Sequence, residues 1–165
     1  STAAESTSWR KRSAEEKSRV MIASVFSSTT ATPITFSPTH TGCAAERMTE
    51  LPPGKAAFPF HSHRVNEEMF FVLEGSGELR LGQAVHAVRA GDVIACPPGG
   101  AESAHQLVNT GSAPLRVLAV STMDYPELCE YPDSGRFLAV SGTQPDDLRI
   151  VGRLGSSLDY WDGEA

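Results

Sequence analysis

His61 and His63 stand two apart, and the acidic pair Glu67 and Glu68 follows within the same short segment. Imidazole nitrogens and carboxylate oxygens are donors that first-row divalent ions accept, so this grouping can build a mononuclear metal centre. Side chains two apart on a strand leave the same face, which lets His61 and His63 approach one ion together. Glu68 opens the apolar run Met69, Phe70, Phe71, Val72, Leu73 and would share a face with Phe70 and Val72. Its carboxylate would then join the histidines at the polar end of an otherwise apolar interior. Glu67 would face the opposite way unless the backbone bulges. His105 offers a further donor, because it lies beyond a strand-like stretch and a sharp turn, where a barrel strand can return across the cavity.

Other chemistry-bearing residues read more plainly. His40 lies in a Pro38 to Gly42 loop, and His86 sits in a short strand without companions. Arg64 reads as a solvated side chain or as a guide for an anion near the cavity entrance. Cys43, Cys96 and Cys129 are far apart and form no CxxC motif or disulfide framework, which fits a reducing, cytoplasmic setting. Cys96 follows Ile94 by two positions and reads as small hydrophobic filling. Neither Cys43 nor Cys129 has a local histidine pattern for nucleophilic catalysis.

The elements that must position these donors are short and β-prone. Stretches 44–51, 68–73, 77–81, 84–88, 92–96, 105–109 and 115–121 alternate with turn-formers such as Pro52-Pro53-Gly54, Gly75-Ser76-Gly77 and Pro97-Pro98-Gly99-Gly100. That rhythm predicts an all-β sandwich or barrel, with no α/β alternation and no internal repeat. The 68–73 stretch is apolar on both faces past Glu68, as a strand buried between two layers would be. Gly75 and Gly77 supply the freedom to turn it into a hairpin with 78–81. Residues 123–136 contain Pro126, Pro132, Asp133 and Gly135 and read as an ordered loop or extended crossing, with an edge strand following at 137–140.

At 165 residues the chain fits one domain with a real hydrophobic core. The expected division is a peripheral N-terminal arm over 1–30, a β-barrel over 31–145 and a C-terminal docking tail over 146–165. Tyr160 and Trp161 would give that tail its buried area. A formal charge of −6 speaks against a nucleic-acid surface, which needs clustered Lys and Arg. No run approaches the roughly 20 apolar residues needed to span a bilayer, so no membrane partner is expected.

The donor residues also resemble the two signatures of the cupin superfamily. The first reads Gly54, six residues, His61-x-His63, four residues, Glu68, six residues, Gly75. The second reads Gly91, five residues, Pro97, then Gly99, His105 and Asn109. Two spacings are longer than the family's usual ones: six residues rather than five before His61, and five rather than two between Gly99 and His105. The resemblance covers roughly residues 44–122. It implies a double-stranded β-helix, or jelly-roll, barrel with His61, His63, Glu68 and His105 as metal ligands. The ion would be one divalent transition metal, Fe, Mn, Ni, Zn, Co or Cu, a choice the donor set leaves open.

The expected activity is that of a metal-dependent enzyme of oxygenase, decarboxylase or isomerase type acting on a small oxygenated metabolite. A non-catalytic module that binds or senses a small molecule is the alternative, since the same cavity can hold a ligand unchanged. A homodimer is the expected assembly.

Overall fold

The computed structural model describes residues 22–24 and 44–164, so the expected arm over 1–30 lies outside the described residues except for one strand. Among the described residues there are strands and no helix. They are β1 (Ile22–Ser24), β2 (Ala44–Leu51), β3 (Ser62–His63), β4 (Glu68–Glu74), β5 (Ser76–Leu81), β6 (Ala84–Arg89), β7 (Asp92–Cys96), β8 (His105–Val108), β9 (Leu115–Thr122), β10 (Glu127–Tyr131), β11 (Arg136–Val140) and β12 (Arg149–Arg153). No described helix is long and apolar enough to cross a membrane.

Three antiparallel sheets form, in the orders β1-β7-β4-β9-β2, β12-β11-β10-β3 and β6-β5-β8. The two smaller sheets meet at a single bridge between His61 and His105. There the His61 N–H donates to the His105 carbonyl at 3.1 Å, and the His105 N–H donates to the His61 carbonyl at 2.7 Å. The joined sheets face the five-stranded sheet, and the chain is a double-stranded β-helix.

Period-two alternation explains which side chains fill the space between the faces. Phe70 and Val72 on β4, Ile94 and Cys96 on β7, Leu115 and Val117 on β9, and Leu79 and Leu107 on the opposite face form one buried cluster with Leu51 and Val88. Glu68 continues the inward row of Phe70 and Val72, and His105 continues that of Leu107. The metal-capable donors are therefore the end members of inward rows that are otherwise apolar. β5 lies close against β8: a Cβ on Gly77 would lie 2.3 Å from the Val108 carbonyl oxygen, so only glycine lets the two strands approach there.

Residues 123–136, expected as a loop or crossing, contain the regular strand β10, which pairs with β3 on one side and β11 on the other. The stretch at 137–140 is likewise not an edge, because β12 pairs along the whole of β11. Pro126 and Pro132 bracket β10 without interrupting it, since each lies just outside the hydrogen-bonded span. Within the region expected as a docking tail, Tyr160 and Trp161 pack edge to face on each other and stay 85% and 70% exposed.

Asn109 closes the barrel wall below the site. Fully buried, it donates through Nδ2 to the carbonyls of Leu51 at 2.7 Å and Ala113 at 2.8 Å, and accepts through Oδ1 from the Gly111 N–H at 2.9 Å. Asn109→Ala leaves two carbonyls and an amide without those partners. The expected loss is about 3 kcal/mol, seen as a lower urea midpoint at unchanged slope.

Candidate metal centre

The four donors come from three places in the fold. β4 carries Glu68 and β8 carries His105, while His61 and His63 flank Ser62 at the β3 turn, where the backbone bridge to His105 fixes their height. Aromatic edges hold the rings in place. Phe58 meets His61 edge-on at 4.9 Å between centroids and His105 at 5.7 Å.

The result is convergence on one carboxylate oxygen. Glu68 Oε2 lies 2.9 Å from His105 Nε2 and 3.5 Å from the Nε2 atoms of both His61 and His63. His61 Nε2 and His63 Nε2 are 3.1 Å apart. The structure thus brings together all four residues expected at the site. Glu67 is exposed, and its backbone N–H donates to Thr122 Oγ1.

The far sides of the rings decide what this cluster can hold. His61 Nδ1 is 2.9 Å from the Pro59 carbonyl, and His105 Nδ1 is 3.2 Å from the Ser103 carbonyl. A carbonyl only accepts, so each neutral ring carries its proton on Nδ1 and turns a lone pair on Nε2 toward Glu68. Two imidazole lone pairs and a carboxylate within hydrogen-bond range repel unless a positive charge stands among them. A divalent ion meets that need, and the donor set of three imidazoles and one carboxylate fits it.

Proton positions in the metal-free protein follow the same electrostatics. Burial works to lower the His63 pKa, but hydrogen bonding and charge from Glu127 and Glu68 outweigh it and raise it to about 9. Burial likewise opposes ionisation of Glu68; where His105, then His61 and His63, donate to it, they hold its carboxyl well below the usual carboxylate range, a support that the Nδ1-protonated rings of His61 and His105 give up unless a cation replaces it. The proton on His63 is thus a substitute for the positive charge that an ion would supply.

Glu127 is the functional residue that sequence reading missed. Its carboxylate accepts backbone N–H bonds from Arg64 at 3.0 Å, Val65 at 3.4 Å and Asn66 at 2.8 Å, with a further short bond from Asn66 Nδ2. Its Oε2 also faces His63 Nδ1 at 3.6 Å. Although burial pulls the other way, His63 and Asn66 bring its pKa down to about 2. Glu127 therefore orders the turn between His63 and Glu68 and places its charge 3.6 Å from the His63 ring. Only its acidic character beside a β-prone stretch could have drawn attention to it. Arg64, read as an anion guide or a solvated chain, is engaged by Glu130, with Nη2 at 2.6 Å.

His61, His63 and Glu68 open onto a cavity of about 460 Å³ whose walls include Phe58, Phe70, Val117, Met123, Tyr131 and Leu138, with Arg47 and Thr49 reaching it from β2. Cys96 belongs to the packed core instead, where burial first, and the Glu68 charge after it, raise its pKa. Cys129 lines the cavity beside Tyr131. Burial is the main cause that pushes Cys129 up to about 11 and Tyr131 up to about 12, so both stay protonated in the metal-free protein.

Comparison with known proteins agrees with this architecture. A family model described as a cupin domain matches residues 47–121. A sugar phosphate isomerase of the cupin superfamily from Silicibacter pomeroyi superposes with a TM-score of 0.61 at 28% identity, over 71% of this chain and 72% of that one. A candidate sugar phosphate isomerase from Acidithiobacillus ferrooxidans gives a TM-score of 0.62 at 22% identity, over 70% of each chain, and bears on the fold alone. An uncharacterized protein from Methanocaldococcus jannaschii is 35% identical over 65 residues, 39% of this chain and 50% of that protein, so the match spans half of that relative's length. Over residues 47–121 the chain is similar to the cupin domain, and its fold is that of small cupin-type proteins.

A pH prediction follows for the metal-free protein. The His63 pKa is raised on folding, so its contribution to stability is fully present below pH 6.5 and is lost as the pH rises through 9. The urea midpoint of metal-free protein should fall across that window. Saturating divalent ion, which requires neutral His63, should reverse the trend by binding more tightly as the pH rises.

Proposed function

We propose that this protein is a mononuclear metal-dependent enzyme of isomerase type, acting on a small, oxygenated and anionic metabolite. The carrying observation is the convergence of three imidazole nitrogens on one Glu68 oxygen at the polar end of an apolar cavity. His61, His63, Glu68 and His105 would hold the ion. When bound, a divalent metal polarises a carbonyl or hydroxyl oxygen and lowers the cost of negative charge developing there.

The chain's own residues supply the rest. Phe58, Phe70 and Val117 exclude water from one wall, which strengthens electrostatic interactions inside. Arg47 and Thr49 offer donors for a negatively charged or hydroxylated end of the substrate. Tyr131, protonated at neutral pH, can donate a hydrogen bond into the cavity. The isomerase assignment, among the oxygenase, decarboxylase and isomerase types open to the site, draws on similarity to the Silicibacter pomeroyi sugar phosphate isomerase. A cytoplasmic location and a homodimer complete the proposal. Cys96 and Cys129 are free thiols, which fits a reducing compartment, and the edge strand β2 carries Met48, 58% exposed, where a second copy could pack.

One observation favours a second reading, a module that binds a small molecule without transforming it. Both carboxylates lining the described cavity are committed, Glu68 to imidazoles and Glu127 to backbone amides, which leaves neither available as a general base.

Elemental analysis of natively purified protein should find close to one transition-metal ion per chain, and His61→Ala should lose it. Incubation of the metal-loaded protein with aldose and ketose phosphates in deuterated water should place deuterium next to the carbonyl, read by NMR. His61→Ala should slow that exchange on the order of 10³-fold. Absence of metal in both native and reconstituted protein would sink the metal-centre reading, whereas tight ligand binding without exchange would select the binding module.

A further inference from the structure

Cys129 is the strongest unassigned group, and its position comes from strand register. β10 pairs with β3 so that Cys129 stands directly opposite His63. Paired residues on neighbouring antiparallel strands project to the same side, so the thiol and the imidazole leave the sheet together. Cys129 is 4% exposed and lines the cavity.

Two sets of metal-capable atoms overlap at this point. The donor atoms of His61, Glu68 and His105 lie within 4.8 Å of one another, and so do those of His61, His63 and Cys129. His61 is common to both sets. Cys129 therefore approaches the centre from β10, whereas the Glu68 and His105 donors are carried by β4 and β8. Cys96 provides the contrast within the same chain: it is buried in the apolar cluster and serves as filling.

We propose that Cys129 is a sulfur ligand of the metal centre, closing on an ion held by His61 and His63. This rests on the metal-centre reading given above and adds to it a choice among metals. A thiolate is a soft donor, so it favours zinc, cobalt or copper over manganese or magnesium, which prefer oxygen. Its charge also matters. With neutral imidazoles, Glu68 and the Cys129 thiolate together balance a divalent ion, and the thiol proton leaves to solvent as the metal binds.

Cobalt(II) is a suitable probe because thiolate coordination gives a sulfur-to-metal charge-transfer band in the near ultraviolet. Full-length protein reconstituted with cobalt should show this band. Cys129→Ser should lose it while keeping its fold by circular dichroism, and Cys96→Ala should retain it. Competition titrations should show Cys129→Ser losing zinc affinity by roughly 10- to 100-fold with manganese affinity changed far less. Should Cys129→Ser not fold, Cys129→Ala carries the same comparison. Cobalt binding that depends on His61 but gives no band, a band that survives removal of Cys129, or equal losses for zinc and manganese would overturn the Cys129 assignment alone. Failure of the unaltered protein to bind cobalt or zinc would overturn the metal centre and this inference with it.

Discussion

Two carbonyl groups constrain the site more than any other feature. The oxygens of Pro59 and Ser103 take the Nδ1 protons of His61 and His105, and so aim both Nε2 lone pairs at Glu68. Crowded lone pairs are costly in a partly buried setting, and the polypeptide tolerates them only where surrounding structure holds the rings and a positive charge relieves them. Phe58 against both rings and the reciprocal backbone bonds of His61 and His105 supply that restraint. The same two backbone bonds, continuing those between residues 54–57 and 107–109, help to close the barrel, so one run of backbone pairing serves both closure and the placing of two donors.

Much of this was legible in the sequence because β-structure writes its faces in alternation. β2 and β7 fall where the sequence places them, and the HxH spacing with Glu68 at the head of an inward row marks the donors directly. What escaped was carried by pairing between strands far apart in the chain. β10 hid between prolines that normally signal loops, and with it went Glu127 and Cys129. Their proximity to His63 depends on a register across more than sixty residues, and no local spacing encodes it. Asn109 shows an intermediate case. Its place in the second signature is readable, but its bonds to Leu51 and Ala113 emerge only when β2 and the turn before β9 come alongside.

The charge arrangement around His63 links folding to the chemistry proposed. Glu68 and Glu127 face this imidazole from two sides, and both are ionised across the neutral range. Without an ion, a proton on His63 reconciles them. A cation held by His61, His63, Glu68 and His105 would require a neutral His63 and would supply the same positive charge there. Glu127 contributes by being fully committed to the backbone of residues 64–66, since a carboxylate anchored by amides cannot swing into the cavity to compete as a ligand.

The two lengthened spacings test how much of the site depends on loop length. The residues between Gly99 and His105 fold into a self-contained turn: the Ser103 N–H and hydroxyl both donate to the Gly100 carbonyl, at 3.1 and 3.0 Å, and the Glu102 carboxylate accepts from the Gly100 N–H at 2.9 Å. The added length is absorbed locally. The Ala104 carbonyl then accepts from the Gly82 N–H at 2.8 Å, and His105 pairs with Leu81 on β5. Its backbone is thus clamped on one side by β5 and on the other by His61 before any side-chain contact is made. Loop insertions are cheap when the ends of the loop are fixed by other elements, because closure entropy grows only slowly with length. The backbone position of His105 is accordingly a property of the strand ladder, while the turn must still present the Ser103 carbonyl that orients the ring.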